Sequence, residues 1–207
     1  MTSSVKIPEL LQLSWPGAGP FFGCDQDWFP RFWQRKAGCG SCTGANILHY
    51  FSGRKKLSLP HDVVDQESFV RLMEYCWQYL TPSFRGLNSP FLMQKGLDEM
   101  MEHLGCPGKS LVLAVPDDPA LRPSLKTAEQ FIRAGVQSDS PVAFLNLHNG
   151  GQEQLENWHW VTVVGIKGDE NRAKLDIYDN GIRLAVDLGD WLVSAERGGG
   201  FVYVSQA

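Results

Sequence analysis

No apolar stretch of the sequence approaches the roughly 18 residues that a bilayer-crossing helix needs, so no membrane span is expected. Cysteine is sparse: five residues, an odd number, among 207. A disulfide scaffold uses a denser, paired set, so free thiols and a reducing, cytoplasmic compartment are expected. The opening segment, MTSSVKIPELLQLSWPG, places a glutamate inside its only candidate apolar core and has no small-residue cleavage site, so no signal peptide is read. Positive charge is not in excess. Lys and Arg number 19 against 23 Asp and Glu, a net charge of −4, which speaks against a nucleic-acid or anionic-membrane surface. No second Cys-x-x-Cys and no paired histidines accompany the cysteines, so neither a metal nor another cofactor is expected. Repeats, low-complexity tracts and linkers are missing too, which leaves one domain spanning residues 1–207.

What the sequence does contain is organised around Ala37–Phe51, AGCGSCTGANILHYF. Glycines precede and separate Cys39 and Cys42, and Ala45, Leu48 and Phe51, with Ile47 alongside, recur at helical spacing. Ser41 is a candidate N-cap and Gly53 a candidate stop. Both cysteines then lie within about one turn of a helix start, where unpaired N–H groups and the macrodipole favour a negative sulfur. The stretch reads as an activated cysteine nucleophile.

The rest divides by pattern. Residues 1–36 crowd aromatics among prolines and read as an irregular arm docked on the body, part of which could wall a cleft. Residues 37–136 are mostly helical. After the cysteine helix, Asp65 or Ser68 caps a second helix with its stripe at Phe69, Leu72, Met73, Cys76 and Leu80. Ser89-Pro90 opens a third, which Gly105 ends. Leu111–Val115 is strand-like, and Thr127-x-x-Gln130 suggests a capped fourth helix ending at Gly135. Residues 137–207 read as strands: Val142–Leu147, His159–Ile166, Ala173–Tyr178, Ile182–Asp187 and Phe201–Ser205. Turns are expected at Asn149-Gly150-Gly151, Lys167–Arg172 and Asn180-Gly181, with a short helical turn near Asp190–Val193. Helices first and an antiparallel sheet afterwards is an α+β pattern.

A nucleophilic cysteine needs a base and a group to orient it. Of the five histidines, His49, His61, His103 and His148 sit where surface or structural roles suffice. His159 opens an apolar strand, HWVTVVGI, and is the candidate base. In LDIYDNG, strand alternation puts Asp179 on the apolar face with Leu175 and Ile177. An acid there requires a partner, so Asp179 is the candidate to hold the imidazole, with Asn180 the alternative. For an oxyanion, the cysteine's own N–H is one donor and Gln34, shortly before the motif, could supply another.

These residues resemble a known pattern. AGCGSCTGANILHYF is similar to the helix start of papain-like cysteine peptidases of the bacteriocin-leader-processing, double-glycine type, and HWVTVVGI followed by IYDNG resembles that family's His strand and following Asp. The two matching islands are roughly residues 34–51 and 158–183. Membership would imply a papain-like fold, a helical N-terminal lobe carrying Cys and an antiparallel sheet lobe carrying His and Asp, with a cleft between and a peptide or protein substrate. The leader-peptidase pattern favours Cys39 as nucleophile. CGSC also resembles the papain signature, which would choose Cys42, but Thr43 stands where that signature has Trp or Tyr. The family's oxyanion glutamine stands six residues before its cysteine. Gln34 is five before Cys39 and eight before Cys42. Two other readings stay open: a dithiol oxidoreductase using Cys39 and Cys42, and a non-catalytic papain-like binding module.

Overall fold

The first thirty residues are more ordered than their prolines suggest. In the computed structural model, which describes residues 1–106, 108–169 and 172–205, strand β1 (Thr2–Ser4) joins the main sheet. Strands β2 (Gln12–Trp15) and β3 (Ala18–Phe22) form a hairpin. Its turn, Trp15-Pro16-Gly17-Ala18, has Pro then a Gly with φ of 80°, the residue order of a type II turn. The prolines punctuate short elements here instead of abolishing them. Helix α1 (Phe32–Ala37) then leads into α2 (Cys39–Gly53) across Gly38.

The start of α2 is three residues earlier than expected, and Ser41 is not its cap. Gly38 occupies the N-cap without a side-chain bond, because any Cβ there would lie 2.4 Å from the Gln34 carbonyl and 2.5 Å from the Phe29 ring. The glycine permits the two helices to meet, and this brings Cys39 to the first helical position. Helix α3 (Gln66–Tyr79) uses both expected residues. Asp65 is the N-cap and Ser68 reciprocates, a capping box. Helix α4 (Pro90–His103) is capped by Ser89 as expected.

Strand β4 (Lys109–Val115) belongs to the sheet, so the sheet draws on all three sequence segments and is not confined to residues 137–207. Helix α5 (Leu125–Gln137) begins a turn before the predicted cap, with Ser124 accepting from the Thr127 N–H. It also runs past Gly135. That glycine is a site of close approach, since a Cβ would sit 2.7 Å from Val142 and 3.0 Å from the Tyr203 ring. Strands β5 (Val142–Asn146), β6 (His159–Asp169), β7 (Arg172–Asp179), β8 (Ile182–Asp187) and β9 (Gly199–Ser205) complete the sheet, with α6 (Leu188–Ser194) before the last. Of the expected turn at 167–172, residues 170 and 171 lie outside the described residues. The strand order is β4-β9-β5-β6-β7-β8, with β1 beside β6, and the ladders are antiparallel. The architecture is α+β.

Strand β6 is buried at every residue from His159 to Ile166, so both its faces are covered, and α2 and α5 both pack on it. Asn46 of α2 donates to the Thr162 hydroxyl at 3.0 Å and fixes the helix on the strand. Among the described residues no helix is long and apolar enough to cross a membrane.

One buried carboxylate ties three regions together. Asp139, at φ 64°, accepts from the Tyr50 hydroxyl at 2.5 Å, the Lys6 N–H at 2.9 Å and Arg54 Nε at 2.8 Å. Burial works to raise its pKa, but the bonds from Tyr50, Lys6 and Arg54 and the charge of Lys56 bring it down from 3.8 to about 2. A folded-state pKa below the unfolded one adds stability above pH ~4 that disappears as pH falls toward 2. Asp139→Asn tolerates the left-handed backbone and removes the charge. It is expected to cost about 2 kcal/mol at pH 7. Urea titrations of both proteins should show the gap closing between about pH 4 and 2; a gap independent of pH would refute the assignment.

Candidate active site

Cys39 sits at the first position of α2 and is half-exposed. The first N–H groups of that helix, its own included, have no intrahelical acceptor. His159 stands at the start of β6 and Asp179 at the end of the neighbouring β7. Only 5% of His159 is exposed, and its Nε2 lies 2.7 Å from Asp179 Oδ1. With Nε2 engaged, Nδ1 is the free ring nitrogen, and Cys39 lines the same cleft beside the ring. Burial alone would depress the His159 pKa. The bond to Asp179 and the neighbouring Cys39 outweigh it and set the value well above the ordinary 6.5. An imidazolium beside a cysteine sulfur is the pairing that makes a cysteine nucleophilic.

Cys42 has a different environment. It is only 6% exposed and belongs to the core. Burial first, then its bond with Cys24, pushes its thiol well above the ordinary range. Its carbonyl accepts from the Cys24 thiol at 3.5 Å. Asn180 does not hold the imidazole either. Its side-chain oxygen accepts from the Gln26 N–H at 3.3 Å.

That bond belongs to a strap. Residues 22–26 pass between α2 and the β7–β8 hairpin. Phe22 N–H donates to the Gly181 carbonyl at 2.8 Å, Cys24 N–H to Asn46 Oδ1 at 3.0 Å, and Gln26 N–H to Asn180. The Phe22 ring meets Tyr178 edge-on with centroids 5.1 Å apart. So the aromatic arm does wall the cleft, at the end where Gln26 lies.

A cleft of about 710 Å³ contains Cys39, His159 and Gln26. Gln34 is not among its lining residues. It is buried in α1, 5% exposed, with no partner for its Oε1 among the described residues. Gln26 is an amide that does line the cleft. Its Nε2 donates one hydrogen to the Arg35 carbonyl at 2.7 Å, which leaves the second for a ligand.

A larger cavity, about 820 Å³, lies at the other end of α2 and includes His49 and His61. The His61 ring bonds the Ser68 carbonyl at 2.9 Å, and burial lowers the His49 pKa to about 4. Cys106 also lines this cavity, with its thiol donated to the Lys56 carbonyl. The smaller cleft, which joins a cysteine to a carboxylate-bonded histidine, is the candidate site. Among the described residues no group of three or more His, Cys, Asp or Glu is arranged to hold a metal. Compared with protein-family models and with curated proteins, the chain matches none.

Proposed function

We propose that the chain is a papain-like cysteine hydrolase that cleaves peptide or related acyl bonds. One observation carries the reading: the His159 imidazole is bonded to Asp179 and stands beside the Cys39 side chain at a cleft open to solvent.

The sulfur of Cys39 attacks the scissile carbonyl and forms a C–S bond. The carbonyl electrons move to the oxygen, which the Cys39 N–H and the free Gln26 Nε2 hydrogen stabilise. His159 delivers its Nδ1 proton to the leaving amine as the C–N bond breaks. Water, deprotonated by His159, then hydrolyses the thioester and returns the sulfur. Asp179 holds the ring and favours its charged form throughout.

The dithiol reading has less support. Cys42 is buried against Cys24, and a helix rather than a strand precedes the cysteines.

The test is a thiol-directed activity probe with peptide mapping of the labelled residue, together with hydrolysis of a peptide mixture. Label on Cys39 with cleavage supports the proposal. Absence of both defeats it. The oxyanion assignment has its own check: Gln26→Ala is expected to lower kcat about 10²–10³-fold with little change in KM, and Gln34→Ala to change kcat far less. The reverse order would move the donor back to Gln34.

A further inference from the structure

Several separate segments surround the cleft, and the charge they bring runs against that of the whole chain. Lys36 comes from α1, Arg85 from the loop between α3 and α4, and Arg197 from the segment before β9. Among the described residues none of the three has a carboxylate within ion-pair distance. Among the described residues Glu156 is the one acid lining the same cleft, and it faces His159 Nδ1 at 4.0 Å. So the rim carries three cations to one anion in a protein of net charge −4.

Aromatic rings alternate with these cations. Arg85 lies over the Phe84 ring at 5.3 Å, and Arg197 over Trp158 at 5.1 Å. Phe84 is 85% exposed, and Trp33 and Trp158 are each about half exposed. A folded chain rarely leaves large rings open beside unpaired cations without something to cover them. Stacking holds each guanidinium close to its ring and leaves its N–H edges free for a carboxylate.

We infer that the cleft selects acidic polypeptide segments, with carboxylates meeting Lys36, Arg85 and Arg197 and an apolar side chain meeting Trp33, Phe84 and Trp158. The inference rests on the hydrolase reading for its consequence, cleavage, but binding can be measured without it. The low-dielectric walls of a cleft focus such a local field even when the net charge has the opposite sign. Exposed charges act mainly on binding, so the preference belongs in KM and weakens with salt.

Binding is read by fluorescence anisotropy on full-length Cys39→Ala protein, with labelled decapeptides of one Phe among Glu and Gly, or one Phe among Lys and Gly. The acidic peptide is expected to bind about tenfold or more tighter at low salt, the gap narrowing at 0.5 M NaCl. The double variant Arg85→Glu, Arg197→Glu should erase the preference. On active protein it should raise KM for acidic peptides more than for basic ones. Equal or tighter binding of the basic peptide, or a preference that survives the double reversal, overturns the inference. Tight binding of single-stranded oligonucleotide in place of either peptide would overturn it as well, by showing a site for phosphates. Acidic-peptide binding with no cleavage and no Cys39 label would leave the specificity standing and defeat the hydrolase reading.

Discussion

Cys39→Ala is expected to abolish both peptide hydrolysis and probe labelling, a loss of about 10⁴-fold or more in kcat, while Cys42→Ala keeps both. The two sulfurs are three residues apart in one helix, yet only Cys39 reaches the cleft and the imidazole. Cys42 is surrounded by core, and its burial and its Cys24 neighbour hold its proton in place. Its truncation leaves a small cavity worth about 1 kcal/mol of stability, which a thermal melt detects without any change in rate. Label mapped to Cys42 in wild-type protein, or activity surviving in Cys39→Ala, would reverse the assignment.

The second large effect falls on Asp179. Asp179→Asn preserves shape but removes the charge beside His159 Nε2 and is expected to lower kcat roughly 10²–10⁴-fold. A purely structural role would reduce activity at all pH values alike. Here the bond to Asp179 helps set the His159 pKa above normal against the cost of burial. With the carboxylate gone, the imidazole loses its proton at lower pH, and the alkaline limb of the kcat–pH profile moves down. Measuring kcat across pH in both proteins tests this. An alkaline limb that stays in place would remove Asp179 from the site.

His159 and Asp179 were legible because each is a polar residue in an otherwise apolar strand. A buried titratable group must find a partner, and alternation along β7 put the acid on the correct face. The choice between Cys39 and Cys42 rested on resemblance, because spacing cannot show which side of a helix faces a cleft and which faces a core. Gln34 lies outside the cleft lining, which illustrates a different limit. It is near Cys39 in sequence, whereas Gln26 reaches the cleft through a bond to Asn180, 154 residues away. No local pattern encodes such a contact. The same limit applies to Ser41 and Gly135. Both were read by cap preferences, and both are overridden by packing distances that appear only once Phe29 and Tyr203 are in place. The arm is more regular than its composition suggests because Pro16-Gly17 encodes a tight turn.

The place of β9 has a consequence for when the sheet can close. Gly199–Ser205 fills the slot between β4 and β5, and β5 in turn pairs with the strand that carries His159. A polypeptide still emerging from the ribosome, without those seven residues, has β4 without its neighbour and the outer edge of β5 open. Synthesis order therefore delays closure: β4, made before β5, joins the sheet only once residues 199–205 are free to fold.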